Sequence, residues 1–165
     1  MLTLTTPLNN QDVKSLRAGD EVGINGVIYT ARDAAHQRLV KLIAEGKPLP
    51  FPAEGAIIYY VGPTPAKPGD PIGSAGPTTS VRMDGLTIPL LEQGLKGMIG
   101  KGGRSPHVVE AMKEHGAVYF AAVGGAAALI AQSIKEVEVI AYPELGAEAV
   151  HRMVVEDFPA VVAID

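Results

Sequence analysis

The sequence predicts a single layered α/β domain. In the second half of the chain, short apolar segments alternate with short helical segments, and this alternation favours parallel strands joined by right-handed crossovers. In the first half, the Asn25-Gly26 pair lies within the apolar segment "DEVGINGVIYTAR" and predicts a two-residue hairpin, hence a separate antiparallel element. A chain of 165 residues is long enough for one core and too short for two ordinary domains.

The first helix is predicted in "TARDAAHQRLVKLIAEG", where apolar residues recur at helical spacing. Thr30 and Asp33 resemble a capping box at its start, and Gly46 is suited to its end. Arg32 therefore falls in the first turn of this helix. The segment "AIIYYVG", which follows a Pro-rich connector, predicts a short buried strand.

A long loop follows in "PTPAKPGDPIGSAGPTTSVRMDG", where Pro and Gly are dense enough to leave only fragments of regular structure. A loop of this length in a small domain is usually functional. Beyond it, "LTIPLLEQGLKG" predicts a short helix and "GMIGKGGR" a strand that ends in a glycine turn. The next helix, "SPHVVEAMKEHG", has Ser105 as its N-cap, Pro106 in its first position and Gly116 at its end.

The rest of the chain continues the alternation of strand and helix. "AVYFAAVGG" predicts a strand, "AAALIAQSI" a helix and "KEVEVIAYP" another strand. "AEAVHRMVVEDF" has a mixed pattern, and "PAVVAID" predicts a final strand.

Composition excludes several classes of function. The formal net charge of -4 gives no basic field of the kind that attracts nucleic acid. With no cysteine, the chain forms no disulfide and holds no thiolate-bound metal. The four histidines (His36, His107, His115, His151) lack a paired ligand spacing, so we expect no metal site and place them at the surface or at helix ends. The sequence has no secretory signal and no apolar run long enough to span a bilayer, which predicts a cytoplasmic protein without membrane contact.

"GKGGRS" suggests an anion site, because glycine amides at a helix start bind anions well. It does not match a Walker A loop, which needs Ser or Thr where Gly102 stands, and Ser105 breaks the dinucleotide pattern. A plain glycine turn and a generic carboxylate site that includes Lys101 both remain open. Ser74 lies in "GSAG" rather than in the G-x-S-x-G pattern of a hydrolase elbow.

The segment "GPTTSVRMD" presents two hydroxyls, of Thr78 and Thr79, beside the guanidinium of Arg82. The threonines are also suited to capping a turn, and the arginine to a surface ion pair. However, Arg32, Arg82 and Lys101 each fall at the edge of a helix or strand in a glycine-rich setting. Two arginines and one lysine so placed fit a small dicarboxylate.

Four segments, "TARDAAH", "GPTTSVRMD", "MIGKGGRS" and "AVGGAAAL", resemble in order and spacing the C-terminal domain of the class I, iron-sulfur-dependent fumarate hydratases. The resemblance is strongest to the separate beta subunit of the two-subunit form, and the family includes L(+)-tartrate dehydratase. It covers nearly the whole chain, which it identifies as one domain, residues 1–165, of the fumarase C-terminal type. The fold it implies is a swivelling β/β/α three-layer domain with a parallel central sheet and a smaller antiparallel sheet.

The resemblance further implies a hydro-lyase that converts fumarate to (S)-malate, or alternatively tartrate to oxaloacetate. The [4Fe-4S] cluster would belong to an alpha subunit, whose cysteines hold three irons and leave the fourth open to substrate, in an (αβ)2 assembly. On this reasoning the isolated chain is colourless and inactive. A stand-alone anion-binding or regulatory module is the alternative of a different class.

The resemblance also implies roles for individual residues. Arg32, Arg82 and Lys101 correspond to ligands of the substrate carboxylates, and Thr78 and Thr79 to a threonine pair that contacts the substrate. Thr78 is implied as the catalytic proton-transfer group, which requires a strongly cationic pocket because an ordinary hydroxyl is only weakly acidic. Gly76, Gly100, Gly102, Gly124 and Gly125 are candidates for backbone or anion contacts, and close packing is the alternative for Gly124 and Gly125. Arg104, next to an N-cap serine, is expected outside the substrate contacts, at the surface or in an interface.

Overall fold

The computed structural model describes residues 2–63, 78–122 and 127–165. In these ranges the strands are β1 (Leu2–Thr5), β2 (Glu21–Thr30), β3 (Ile57–Tyr59), β4 (Gly97–Gly100), β5 (Val118–Ala122), β6 (Ile134–Ala141) and β7 (Val150–Ile164). The α-helices are α1 (Asn10–Lys14), α2 (Asp33–Ala44), α3 (Asp84–Glu92), α4 (Pro106–His115) and α5 (Ala127–Ser133). Two 3₁₀ segments, Ser80–Met83 and Pro143–Glu148, precede α3 and β7.

The described strands form one mixed sheet in the order β1-β2-β3-β4-β5-β7-β6. The pairs β2–β3, β3–β4 and β4–β5 are parallel, whereas β7 pairs antiparallel with β5. Strand β7 also pairs antiparallel with β2, so that β2, β3, β4, β5 and β7 close into a barrel-like ring. The prediction of a mixed α/β fold with parallel central strands is confirmed. The separate antiparallel sheet is not found among the described strands, since β6 and β7 belong to the same sheet, and the three-layer swivelling arrangement is not confirmed.

The predicted hairpin at Asn25-Gly26 is wrong. Residues Glu21–Thr30 form one continuous strand that pairs with β7 on both sides of a register shift between Ile24 and Gly26. Gly26 has a φ of 106°. A positive φ at a glycine is found both in bulges and in two-residue hairpin turns. The local sequence therefore identified the positive φ correctly but not the strand partner, which lies more than 120 residues further along the chain.

Two apolar clusters pack against the two faces of the parallel strands. Alternate residues of β3 and of the position that follows it divide between them: Ile57 and Tyr59 belong to one cluster, and Ile58 and Tyr60 to the other. The second cluster is covered by helices α2, α3 and α4, which contribute Leu39, Leu90 and Met112 among others. This alternation is expected of strands that are buried on both faces.

Several local predictions need correction. The start of α2 has Arg32 as its N-cap with no side-chain capping bond, so the capping box from Thr30 to Asp33 is wrong. The hydroxyl of Thr30 instead accepts a bond from the His151 amide at 3.0 Å. The mixed segment and the final predicted strand form one strand, β7, and the short elements β1 and α1 were not predicted. In the part of the chain that is described, no helix is both long and apolar enough to cross a bilayer.

Candidate functional site

The carboxyl ends of the parallel strands β2, β3 and β4 lie side by side and carry the segments singled out in the sequence. Arg32 follows β2, the Tyr60 backbone follows β3, and Lys101 follows β4. In parallel α/β folds, whether open or closed into a barrel, this edge is the usual place for ligands, because loops converge there from neighbouring strands. We call it the carboxyl edge.

The segment Thr78–Ser80 is bound to this edge through its backbone. The Thr78 amide donates to the Tyr60 carbonyl at 2.7 Å. The Lys101 amide donates to the Thr78 carbonyl at 3.3 Å, and the Ser80 amide donates to the Lys101 carbonyl at 2.9 Å. Thr79 and Lys101 thus form a parallel bridge that continues the sheet by one residue pair beyond β4.

The arginines approach the same edge from the side of α2. Arg82 Nη2 lies 3.2 Å from Asp33 Oδ2, and Asp33 directly follows Arg32. The Arg32 side chain packs against Gly62, where an added Cβ would lie 3.0 Å from Nη1, so the glycine makes room for the guanidinium. The edge therefore brings together Arg32, Thr78, Thr79, Arg82 and Lys101, from three separate parts of the sequence. Because Arg82 is half exposed, its ion pair with Asp33 contributes little to stability and can exchange for another anion.

Buried polar atoms at the start of α2 lack partners within the described residues. They are Arg32 Nε, Asp33 Oδ1 and His36 Nε2. The Arg32 carbonyl lies 2.8 Å from His36 Nδ1, and since a carbonyl only accepts, Nδ1 carries the proton. His36 Nε2 then presents a buried lone pair. Unpartnered buried polar atoms are uncommon in proteins, so these three atoms are suited to partners that the described residues do not supply.

The expectation that the histidines lie at the surface or at helix ends is wrong for two of them. His36 is fully buried and its ring meets the Tyr60 ring edge-on, with centroids 5.4 Å apart. His151 is 8% exposed and its Nδ1 donates to the Ala149 carbonyl at 2.9 Å. The apolar face of α2 shows why His36 is buried, because it follows Ala35 and precedes Leu39 on the inward side.

Burial lowers the pKa of His36 from 6.5 to about 4, against the opposing effect of its hydrogen bond to the Arg32 backbone. The unfolded chain therefore binds a proton at His36 below pH 6.5, and the folded chain does so only near pH 4. We expect the free energy of unfolding to fall by up to about 3 kcal/mol as the pH drops through this window. Urea unfolding of the chain at a series of pH values measures this change.

His36→Asn is the matched variant, because an amide nitrogen retains a donor for the Arg32 carbonyl but does not titrate. Burial also lowers the pKa of His151, which is present in both proteins and cancels in the comparison. A loss of stability between pH 6.5 and 4 that is equally steep in the variant would contradict this account of His36.

Arg104 was expected at the surface or in an interface, and its side chain is instead completely buried. Its Nε donates to Asp84 Oδ1 at 2.7 Å, Nη1 to the Tyr60 hydroxyl at 3.0 Å and Nη2 to Thr87 Oγ1 at 2.8 Å. The guanidinium also lies 5.1 and 5.3 Å from the ring centroids of Tyr60 and Tyr119. It thus joins the glycine turn after β4 to helix α3.

Asp84, which accepts from Arg104, also binds Ser105 at the start of α4. Its Oδ2 accepts from the Ser105 amide at 2.7 Å and from the Ser105 hydroxyl at 2.5 Å. Ser105 is the N-cap residue of α4 as predicted, but its hydroxyl is directed to Asp84 rather than to the helix. Burial opposes ionisation of Asp84, but the bonds from Ser105 and Arg104 outweigh it and lower the pKa of the carboxyl. The carboxylate is therefore ionised at neutral pH.

The glycines of the predicted site divide into two groups. Gly100 is buried, and a Cβ there would overlap the Ser80 hydroxyl, so close packing alone requires a glycine. Gly102 is exposed with a φ of 79°, which the turn after Lys101 requires. Gly76, Gly124 and Gly125 lie outside the described residues. Contacts of these glycines with an anion stay predictions.

Four residues beneath the carboxyl edge were not assigned to the site from the sequence: Tyr60, Ser80, Arg104 and Tyr119. Each makes its contact with a residue at least 17 positions away, and no local pattern indicates such partners. The sequence indicates a role at the site only for Ser80, because this serine directly follows Thr78 and Thr79.

The full chain, residues 1–165, matches the family model described as Fumarase C-terminus. The chain belongs to this family. It is 46% identical over 147 residues to "Fumarate hydratase class I, anaerobic" of Escherichia coli (strain K12), a match that covers 87% of this chain and 27% of that protein. It is 41% identical over 157 residues to "Fumarate hydratase 2" of Leishmania major, covering 94% and 28%.

A third relative is matched over most of its own length. The "Putative L(+)-tartrate dehydratase subunit beta" of Methanocaldococcus jannaschii is 40% identical over 164 residues, covering 96% of this chain and 84% of that protein. The chain thus spans about a quarter of the length of the fumarate hydratases that it matches, and most of the length of a protein named as a separate subunit. The resemblance inferred from the four sequence segments is confirmed.

Proposed function

We propose that this chain is the beta subunit of a two-subunit hydro-lyase that reversibly hydrates fumarate to (S)-malate. Its family and the names of its relatives, fumarate hydratases and a tartrate dehydratase subunit, support a hydro-lyase. Coverage of most of a separate beta subunit supports a division of the enzyme into two chains. The alternatives are a tartrate dehydratase beta subunit and a non-catalytic anion-binding module.

The observation that carries this proposal is the set of cationic and hydroxyl side chains at the carboxyl edge. Guanidinium groups bind carboxylates with paired, charge-assisted hydrogen bonds, and an ammonium group adds a third positive charge. In this proposal Arg32, Arg82 and Lys101 bind the two carboxylates of the substrate. Arg82 is suited to this role because its present partner, Asp33, is held in an exposed pair that a substrate carboxylate can replace.

Hydration adds a hydroxyl group to one carbon of the fumarate double bond and a proton to the other, and dehydration of malate removes both. Removal of that proton builds negative charge next to a carboxylate, and nearby cations stabilise this charge in the transition state. We assign the proton transfer to the Thr78 hydroxyl, with Thr79 holding the substrate. A threonine hydroxyl is suited to this step only when surrounding positive charge lowers its pKa, and the cations of the carboxyl edge are the proposed source.

The residues of this chain do not fit a [4Fe-4S] cluster. The sequence contains no cysteine, and the described ranges hold no group of three or more His, Cys, Asp or Glu side chains that could bind a metal. We therefore assign the cluster to a partner alpha subunit in an (αβ)2 assembly, and only binding and proton transfer to the present chain.

Reconstitution tests this division of labour. We expect the isolated chain to be colourless and unable to hydrate fumarate, and the mixture with an iron-sulfur partner chain to be active. The absorbance of fumarate measures the rate, and the partner alone is the control. Fumarate hydration by this chain alone would contradict the proposal, and failure of any iron-sulfur partner to co-purify with the chain would favour an anion-binding module.

The same assembly separates the two candidate substrates. Fumarate and tartrate present equivalent carboxylates, so the cationic side chains at the carboxyl edge do not distinguish them. We expect a higher kcat/KM for fumarate and malate than for L(+)-tartrate. Preferential dehydration of tartrate would assign the chain to the tartrate dehydratase reaction instead.

A further inference from the structure

Two hydroxyl groups connect the threonine segment to the lysine turn beneath the carboxyl edge. Ser80 Oγ lies 2.6 Å from the Tyr119 hydroxyl, which in turn lies 2.8 Å from the Gly102 carbonyl. A carbonyl only accepts, so Tyr119 donates to Gly102, and Ser80 donates to Tyr119. The directions of both bonds are therefore determined.

These two hydrogen bonds involve residues that are next in sequence to the proposed substrate contacts. Ser80 directly follows Thr79, and Gly102 directly follows Lys101. Ser80 is fully buried, and its hydroxyl fills the space that the missing side chain of Gly100 leaves. Neither hydroxyl is exposed enough to meet a substrate, so both act on the site through the backbone.

The position of the Tyr119 hydroxyl is itself fixed. The residue lies in β5, its side chain is fully buried, and the Arg104 guanidinium packs over its ring with 5.3 Å to the centroid. Arg104 is held in turn by Asp84 and Thr87. Tyr119 therefore gives Ser80 and Gly102, which lie on two different segments, a common hydrogen-bonding partner in a fixed position.

We propose that Ser80 and Tyr119 are positioning residues, which fix the position and orientation of the Thr79–Lys101 bridge at the carboxyl edge. Residues that hold a catalytic group to within a fraction of an ångström strongly affect the rate of the chemical step, and affect binding less. The inference rests on the proposed function for its effect on the rate. The hydrogen-bonded link itself is independent of that function.

Tyr119→Phe tests the inference, because it removes both hydrogen bonds and keeps the ring under Arg104. In the assembled enzyme we expect kcat to fall about tenfold with KM changed less than about threefold. We also expect faster hydrogen exchange at the Ser80 amide, which donates to Lys101, with unchanged exchange in β2 and β7. Ser80→Ala should have a similar effect, and the double variant should be no worse than either single variant, since the two hydroxyls act as one link.

Tyr29→Phe is the matched control, because Tyr29 stacks on Phe51, away from the Ser80 and Tyr119 link, and should leave both readouts unchanged. If the wild-type assembly is active and Tyr119→Phe leaves kcat unchanged, the positioning role is wrong. If the wild-type assembly shows no hydro-lyase activity, the proposed function fails, and exchange at the Ser80 amide of the full chain decides the inference alone. Faster exchange in Tyr119→Phe then supports it, and unchanged exchange overturns it.

Discussion

Replacing Arg104 by methionine is expected to lower the free energy of unfolding by about 3 to 5 kcal/mol, the usual loss when one partner of a buried ion pair is removed. The side chain of Arg104 is completely buried, and Asp84 is 5% exposed. Methionine retains much of the apolar contact with Tyr60 and Tyr119, so the effect reports mainly on the Asp84 carboxylate left without its cation. Because domains are stable by only about 5 to 15 kcal/mol, urea unfolding should show a large loss of folded protein.

A matched pair elsewhere in the chain provides the control. Arg38 Nη1 lies 2.9 Å from Glu144 Oε1 and its guanidinium packs over Tyr142, but the two side chains are 44% and 57% exposed. Arg38→Met should therefore lower stability by less than about 1 kcal/mol. Adding Asp84→Asn to Arg104→Met should recover part of the loss, because it removes the unpaired charge. Equal effects of Arg104→Met and Arg38→Met would contradict the structural role of the buried pair.

Thr78→Ala is expected to lower the kcat of the assembled enzyme by about two orders of magnitude or more, the scale usual for a general acid-base group. KM should change little, because the carboxylates are bound by Arg32, Arg82 and Lys101 in the proposal. Steady-state kinetics with fumarate and with malate measure both constants. The variant should still fold and assemble, since Thr78 is only partly buried and its backbone bond to Tyr60 is retained.

Thr79→Ala is the matched control for Thr78→Ala. It removes one hydroxyl of the same kind from the adjacent position, and should cost about one hydrogen bond to a charged group, or roughly 1.5 to 3 kcal/mol in kcat/KM, mostly through KM. Thr78→Ala should therefore change mainly kcat, whereas Thr79→Ala should change mainly KM. A near-normal kcat for Thr78→Ala would move proton transfer to the partner chain and leave this segment as a carboxylate clamp.

The sequence was most informative where local patterns determine the structure. The end of α2 and both bounds of α4 follow from apolar spacing, from Pro106 in the first turn of α4, and from Gly46 and Gly116, whose positive φ is suited to a helix end. The carboxyl edge was predictable in outline, because segments that follow parallel strands meet at one edge of the sheet. Arg32 and Lys101 closely follow such strands, and Arg82 lies close behind Thr79, which pairs with Lys101.

The sequence was least informative where a residue's partner is distant. Gly26 requires a positive φ in a hairpin and in a bulge alike, and only the pairing with β7 distinguishes them. The burial of Arg104 depends on Asp84, twenty residues earlier, and that of His36 on the packing of α2 against Tyr60. Such contacts form only when the sheet closes, and no pattern within one segment encodes them.

In the proposed function a dicarboxylate binds at the carboxyl edge. A crystal structure of the assembled enzyme with bound fumarate or malate tests it most directly. We expect carboxylate oxygens within hydrogen-bonding distance of Arg82, Lys101 and Arg32, the Thr78 hydroxyl next to the reacting carbons, and Arg82 released from Asp33. A dicarboxylate bound entirely by the partner chain, with Arg82 still paired to Asp33, would contradict the account.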